Sequence, residues 1–257
     1  MEMERITRVA IRAAYGAGEV LKRHFGHLDR VNKKGAIDLV TAADVESEKA
    51  IVKEIQSVFP DHTILAEESG LHQGRPENCW IVDPLDGTTN FAHNLPIFSI
   101  SIAFSHDQET RLGIVFNPIS GDLFTATFGQ GAQLNHRPIG VSSTPAMEES
   151  LLVTGFPYDL QDSISDLMQR FQNALCACQG IRRLGSAALD LCYVACGRFD
   201  GFWEENLKPW DTAAGVLIAQ EAGGRITDFE GGPFDLEGKQ ILATNGHIHQ
   251  EMIGLLN

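Results

Sequence analysis

The residues best suited to chemistry in this sequence are acidic, and several of them follow short apolar runs. Asp83 and Asp86 come directly after the run Trp80-Ile81-Val82, with Pro84 between them. Proline fixes its own φ and biases the preceding residue towards extended geometry, which helps to aim both carboxylates out of a strand end. Mg²⁺ is bound by carboxylates, water and phosphate oxygens. The pattern therefore predicts a site for a hard cation.

The residues directly after Asp86 could bind the anion that such a cation would accompany. Gly87-Thr88-Thr89 is typical of a turn that opens a helix, where free backbone N–H groups and the positive end of the helix accept an anion. A cation at one end and a phosphate at the other would together bind a phosphate ester. Asp-Pro-x-Asp-Gly is also an ordinary turn sequence, but the strand before it and the helix start after it favour the site.

Two further acidic positions could join this site. Glu67-Glu68 follows the short apolar run 63–66, although such a pair is also typical of an exposed acidic turn. Asp211 stands at the start of a helical pattern, where its charge would be favourable even without a metal. The residues alone leave both alternatives open.

The composition excludes several classes of protein. With 43% apolar and 21% charged residues in 257, the chain is neither disordered nor fibrous. A net charge of −14 argues against binding nucleic acid by general electrostatics. The apolar runs are too short to cross a bilayer, and the start lacks a signal-peptide pattern. Five cysteines without a Cys-x-x-Cys spacing are expected to be reduced thiols. We expect a cytoplasmic protein.

The elements that must position the acids can be read from periodicity. Helices are expected at 3–25, after a cap at Asp44, and at 162–178, 186–196 and 212–222, with a short one at the C-terminus. Strands are expected at 63–66, 80–82, 151–153, 199–203 and 241–243, with antiparallel sheet over 98–128. We expect one domain over 1–257, in which an α+β half (1–145) holds the main metal site and an α/β half (146–257) completes it.

These motifs resemble the inositol monophosphatase family of magnesium-dependent, lithium-sensitive phosphatases. The segment 83–91 matches the first signature of the family, and 210–215 matches the second, Trp-Asp-x-Ala-Ala-Gly. Segments 66–69 and 38–44 match two further elements, in the expected order over nearly the whole chain. The resemblance implies an α+β fold, the layered α-β-α-β-α sandwich of the sugar phosphatase superfamily, often assembled as a homodimer.

The resemblance also implies individual roles. The ligands of two to three Mg²⁺ ions would be Glu67, Asp83, the carbonyl of Leu85, Asp86 and Asp211. Thr88 would position the attacking water with help from Glu67, and Asp44 would hydrogen-bond to Thr88. Substrate contacts would come from Lys33, Asp86, Gly87, Thr88, Arg182, Gly185, Ser186, Ala187, Glu204 and Asp211. Lys33 and Arg182 are also compatible with solvated surface charges, and Ser186 with a simple helix cap.

The implied activity is hydrolysis of inositol 1-phosphate, or a related small sugar or polyol phosphate, by metal-activated water. Fructose 1,6-bisphosphate, histidinol phosphate, nucleotide 3′-phosphates and the phosphate of NADP(H) are alternative substrates of relatives with this architecture. The loop 155–159 could select the alcohol. A catalytically silent regulatory or protein-binding member of the fold is the alternative of another class. No membrane or nucleic-acid partner is expected.

Overall fold

The computed structural model describes residues 2–27, 31–33, 39–157 and 164–257, with the backbone alone at 31–33 and 39–41. Its helices are α1 (Glu2–His24), α2 (Ala42–Val58), α3 (Thr88–Ala92), α4 (Ile164–Ala177), α5 (Ala187–Ala195), α6 (Pro209–Glu221) and α7 (His249–Leu256), with a 3₁₀ turn at Met147–Glu149. Its strands are β1 (Val31–Lys33), β2 (Leu39–Thr41), β3 (His62–Ala66), β4 (Gly70–His72), β5 (Arg75–Asp86), β6 (Ser99–His106), β7 (Glu109–Asn117), β8 (Asp122–Thr127), β9 (Ala132–Leu134), β10 (Arg137–Pro138), β11 (Leu151–Thr154), β12 (Gly180–Arg182), β13 (Gly201–Glu205), β14 (Arg225–Thr227) and β15 (Gln240–Thr244).

Two large sheets organise these strands. The first has eight strands in the order β10-β9-β8-β7-β6-β5-β3-β4 and is antiparallel except where β3 runs parallel to β5. The second has five strands in the order β12-β11-β13-β15-β14, with β11 parallel to both neighbours. Strands β1 and β2 form a separate two-stranded antiparallel sheet. The result is a mixed α+β fold.

Helices cover both sheets and fill the space between them. Helices α1 and α2 pack on one face of the eight-stranded sheet, over a core that includes Trp80 and Phe104. Helices α5 and α6 pack on its other face and also contact the five-stranded sheet. Helices α4 and α7 pack together beside Trp203 and Leu242 of that second sheet. The expected α-β-α-β-α layering is confirmed.

Most expected elements are present, but several boundaries differ. The strand expected at 80–82 is the buried end of the longer β5. Helix α6 begins at Pro209 rather than at 212, because proline needs no N–H partner in the first turn of a helix. The expected cap at Asp44 is wrong: α2 begins at Ala42, and the carboxylate of Asp44 is fully buried.

Two chemical expectations can also be compared with the structure. The five cysteines are all free thiols. Within the described ranges, none of the helices combines the length and apolar character that crossing a membrane requires.

Close backbone contact sets the distance between α6 and the first sheet. A Cβ on Gly113 of β7 would lie 2.6 Å from the carbonyl oxygen of Ala214 in α6. Backbone atoms at this distance cannot move aside as a flexible side chain would. Gly113 therefore fixes how closely α6, and the residues at its first turn, approach the sheet.

Replacing Gly113 with alanine should lower the free energy of unfolding by about 1–3 kcal/mol, the usual effect of overpacking. The matched control is Gly16→Ala in α1, where a Cβ would have no neighbour within 4 Å; it should stabilise the helix by up to about 1 kcal/mol. Urea unfolding of the two variants and the wild type measures both effects. Equal stabilities for the two variants would contradict this account of the α6 contact.

Candidate functional site

An irregularity at the end of β5 exposes two carboxylates to a common cavity. Asp83 pairs with Ser101 and Asp86 with Ser99, with a register shift between them that takes Pro84 out of the ladder. Such bulges redirect side chains next to functional sites. The backbone N–H of Leu85 donates to Asp83 Oδ1 at 2.9 Å, which holds that carboxylate in place.

The start of α5, about one hundred residues later in the chain, orients Asp86. Ser186 Oγ donates to Asp86 Oδ2 at 2.6 Å, and the backbone N–H of Ala188 donates to the same oxygen at 2.9 Å. Burial raises the pKa of Asp86 to about 6, against these hydrogen bonds, which lower it. Ser186 precedes α5, but its side chain makes no capping bond. The structure thus places Ser186 behind a carboxylate rather than in a simple cap.

Asp211 lies in the first turn of α6 and serves that helix as well as the cavity. Its Oδ2 accepts the backbone N–H of Lys208 at 2.7 Å, one half of a capping box. Burial, followed by the negative charge of Asp86, raises the pKa of Asp211 to about 8. The two interpretations of Asp211, helix capping and site residue, are therefore both compatible with its position.

Glu67 directly follows β3, in a turn that a second acid, Glu48, holds in place. The buried carboxylate of Glu48, in α2, accepts the backbone N–H groups of Glu68 at 2.8 Å and Ser69 at 2.9 Å. Sequence reasoning missed Glu48. Its signal is an acid on the apolar face of α2, in the helical register of Ile51 and Ile55.

Thr88 lies where β5 passes into α3. Its Oγ1 is 3.1 Å from Asp44 Oδ1 and 3.1 Å from the carbonyl oxygen of Leu85, and its single proton can go to either. Gly87 has φ 97°, and a Cβ there would lie 3.1 Å from the carbonyl oxygen of Gly185, so glycine is needed. Because α3 has only five residues, it can offer an anion backbone N–H groups but little macrodipole.

These elements enclose a cavity of about 350 Å³. Eight of the expected site residues line it: Glu67, Asp83, Leu85, Asp86, Gly87, Thr88, Glu204 and Asp211. Further wall residues that the sequence did not single out for a role are Glu205, Asn206, Leu207, Lys208 and Trp210, and the predicted loop at 155–159 contributes Phe156 and Pro157. The predicted acidic residues therefore converge on one cavity.

The remaining expected residues lie elsewhere. Asp44 stands behind Thr88, while Ser186 and Ala187 are buried at the start of α5, behind Asp86. Arg182 is exposed, with its Nη1 3.1 Å from the carbonyl oxygen of Ile181. Lys33 belongs to β1, but its side chain lies outside what the structure describes, as do Asp38 and residues 158–159.

The carboxylates repel one another strongly enough to favour a cation. Burial raises the pKa of Asp83 well above its usual range, and the charges of Glu67, Asp86 and Asp211 raise it further. Within the described residues, no group of three or more acid, histidine or cysteine side chains is arranged to hold a metal ion by itself in this conformation. Mg²⁺ does not require such a group, because it is held by one or two carboxylates plus water and substrate phosphate. The all-oxygen donor set fits that ion.

Comparison with known proteins identifies relatives over the full length. The model of the inositol monophosphatase family matches residues 2–257. The chain is 47% identical to an inositol-1-monophosphatase from Synechocystis, over 95% of this chain and 86% of that protein. It is 42% identical to Nus factor SuhB from Pasteurella multocida, over 98% and 95%. The crystal structure of the extragenic suppressor protein suhB from Bartonella henselae superposes with a TM-score of 0.95 and 41% identity, covering 98% of each chain.

The raised pKa values have a consequence for stability. A carboxyl group whose pKa is higher in the folded state binds a proton that the unfolded chain releases, so stability falls as pH rises between the two values. For Asp211 this window runs from about 4, the ordinary value, to about 8. Glu204, whose pKa burial and Asp211 raise to about 8, adds to the same trend.

We expect Asp211→Asn to be more stable than the wild type at pH 8 without divalent ions, and this advantage to shrink towards pH 5. With saturating Mg²⁺ the order at pH 8 should reverse, because a ligand that binds only the folded state stabilises it. Thermal melts from pH 5 to 8 with EDTA or MgCl₂ measure both effects. Asp107→Asn, at an exposed turn residue, is the control. A pH-independent difference between Asp211→Asn and the wild type would refute this assignment.

Proposed function

The chain belongs to the inositol monophosphatase family, a family of phosphatases, and we propose that it hydrolyses small phosphomonoesters with inositol 1-phosphate among its good substrates. The observation that supports this proposal is the convergence of Glu67, Asp83, Asp86 and Asp211 beside Thr88 in one cavity. A phosphate monoester is an anion that repels hydroxide, so its hydrolysis needs positive charge beside the phosphate, and these acids can hold such a charge.

Magnesium would be held by the carboxylates of Glu67, Asp83, Asp86 and Asp211 and by the carbonyl of Leu85, with two to three ions per site. When bound, Mg²⁺ neutralises phosphate charge and lowers the pKa of a coordinated water. The protein supplies the orientation of these ligands. Asp86 is fixed by Ser186 and Ala188, and Asp211 by the first turn of α6.

Thr88 would orient the attacking water. When its proton is donated to Asp44 Oδ1, its oxygen can accept a hydrogen bond from water. Asp44 is fully buried on α2, and its carboxylate would attract the proton of Thr88 more strongly than the neutral carbonyl of Leu85. Glu67, on the facing turn, would accept a proton from the same water. Positioning of this kind lowers the activation free energy of hydrolysis, because the water is already oriented towards the phosphate before it reacts.

The alcohol of the substrate would occupy the end of the cavity near Glu204. This side chain is 8% exposed and lines the cavity, and a Cβ on Gly155 would overlap its carboxylate. Phe156 and Trp210 provide apolar walls. A cavity of about 350 Å³ suits a polyol phosphate, and the other phosphomonoesters named above remain competitors. We further propose a homodimer.

A second candidate function comes from the relatives. Several bacterial relatives at 41–43% identity are Nus factors named SuhB. A corresponding role here would be regulatory, through binding another macromolecule, and it would not require turnover. The two functions could also coexist, because the cavity occupies only part of the surface.

The deciding experiment is phosphate release from a panel of phosphomonoesters with and without Mg²⁺. We expect Mg²⁺-dependent turnover of inositol 1-phosphate, and a loss of at least about 10²-fold in kcat for Asp86→Asn and Asp211→Asn, since each removes a charged ligand. Exposed Asp107→Asn is the matched control. A folded, Mg²⁺-bound wild type that releases no phosphate from any ester would refute the proposal and favour the regulatory candidate.

Thr88→Ala should separate catalysis from metal binding. Because Thr88 orients water and holds no ion, kcat should fall by about 10²-fold or more, while the Mg²⁺ affinity measured by calorimetry stays nearly unchanged. Thr89→Ala, one residue along α3, is the control for helix effects. An equal loss of Mg²⁺ affinity in Thr88→Ala would assign the residue to the metal site instead.

A further inference from the structure

The cavity is acidic, and the few cations near it are therefore informative. Six acidic residues line its wall, and Lys208 is the one basic residue among the described lining residues. A substrate with several hydroxyl groups needs hydrogen-bond donors as well as acceptors, and an ionised carboxylate supplies only acceptors. Among the described lining residues the side-chain donors are Asn206, Lys208 and Trp210 together with the hydroxyl of Thr88, and the rim is the other place from which a donor can come.

The loop before α5 brings an arginine to this rim. Asn90 Nδ2, on α3, donates to the carbonyl oxygens of Ile97 and Leu184, both at 2.7 Å, which docks the loop beside Gly87. Arg183 Nη1 lies 2.6 Å from the position that a Cβ on Gly185 would occupy. The guanidinium of Arg183 is therefore folded over Gly185, next to the start of α3.

Two buried carboxylates are near enough to this guanidinium for its charge to lower their pKa values. Asp190 is 1% exposed, and neither of its oxygens has a hydrogen-bond partner among the described residues. Burial raises the pKa of both Asp190 and Glu204, and the positive charge of Arg183 lowers both. An unpaired buried carboxylate is costly. The charge of Arg183 thus offsets part of the effect of burial on Glu204, which lines the cavity, and on Asp190 behind it.

Its neighbour Arg182 is directed elsewhere. Arg182 Nη1 lies 3.1 Å from the carbonyl oxygen of Ile181 and 3.5 Å from the position of a Cβ on Gly180. Both residues belong to β12, at the edge of the five-stranded sheet. Both arginines are exposed, but of the two only Arg183 folds back towards Gly185.

We propose that Arg183, rather than Arg182, determines specificity for the alcohol portion of the substrate, and that Asp190 is a positioning residue for it. The proposal rests on the phosphatase function proposed above. Arg183 donates a hydrogen bond to a hydroxyl oxygen of the polyol, while Glu204 accepts a hydrogen bond from a hydroxyl group. A ring with neighbouring hydroxyl groups satisfies both residues at once. A phosphate ester without hydroxyl groups gains nothing from Arg183.

The test compares inositol 1-phosphate with p-nitrophenyl phosphate in Arg183→Gln, Arg183→Lys and the matched control Arg182→Gln. Arg183→Gln should raise KM for inositol 1-phosphate about tenfold or more, the usual effect of losing a hydrogen bond to a charged group, with kcat and the kinetics of p-nitrophenyl phosphate little changed. Arg183→Lys should restore part of the loss. Asp190→Asn should shift KM in the same direction by less, and Arg182→Gln should match the wild type.

A binding measurement keeps this proposal separate from the function on which it rests. Calorimetric titration of inositol 1-phosphate into Thr88→Ala and into Thr88→Ala/Arg183→Gln, with Mg²⁺, should show weaker binding in the double variant even if no variant turns over. Absence of turnover in the wild type would refute the phosphatase and leave this comparison to decide on Arg183.

Three results would overturn the role of Arg183. The first is equal effects of Arg183→Gln and Arg182→Gln. The second is an equal rise in KM for both substrates, which would place the guanidinium on the phosphate. The third is a KM change that disappears at high protein concentration, with a changed mass in light scattering, which would make Arg183 a subunit contact.

Discussion

Mutual repulsion among four carboxylates is the constraint on which the rest of this structure depends. Glu67, Asp83, Asp86 and Asp211 line one small cavity, and the pKa of Asp83 is raised by the other three after burial. Without a cation, such a cluster persists only if some of the carboxylates bind protons or if the backbone holds them close together. Each acid accordingly stands at a strand end or a helix start that is itself anchored in a buried layer.

The anchoring crosses the molecule, which explains why the two sheets form one site. Asp86, from the first sheet, is oriented by Ser186 and Ala188 at the start of α5. Asp211 is carried by α6, whose approach to the first sheet is fixed at Gly113. Helices α5 and α6 form the middle layer and contact both sheets. The distances between the acids therefore depend on how the layers pack. A small shift between layers would change these distances even if each strand and helix kept its own structure.

The sequence predicted the acids better than the groups that hold them. Asp83, Asp86 and Asp211 could be found because they follow or begin apolar elements, and periodicity gave most helices and strands. Glu48 was missed although it lies on the apolar face of α2, because the backbone groups that it binds belong to a turn twenty residues away. Asp190 was missed because nearly all of α5 is buried, so that no single apolar face stands out. The local pattern alone predicted that Asp44 is a helix cap, whereas the family resemblance implied the hydrogen bond to Thr88, 44 residues away, that the structure shows. Helix α3 has only five residues, which is too few for a helical repeat of apolar side chains to be recognised.

The cost of the acid cluster bears on the choice between the two candidate functions. A protein that served only as a binding surface would be more stable with amides in place of Asp86 and Asp211, since both carboxylates have pKa values raised by burial and therefore destabilise the folded state near neutral pH. Such destabilisation is common where activity requires it. The hydroxyl of Thr88, directed by a fully buried Asp44, is likewise of no use to an outer surface. Both features favour turnover over a purely regulatory role.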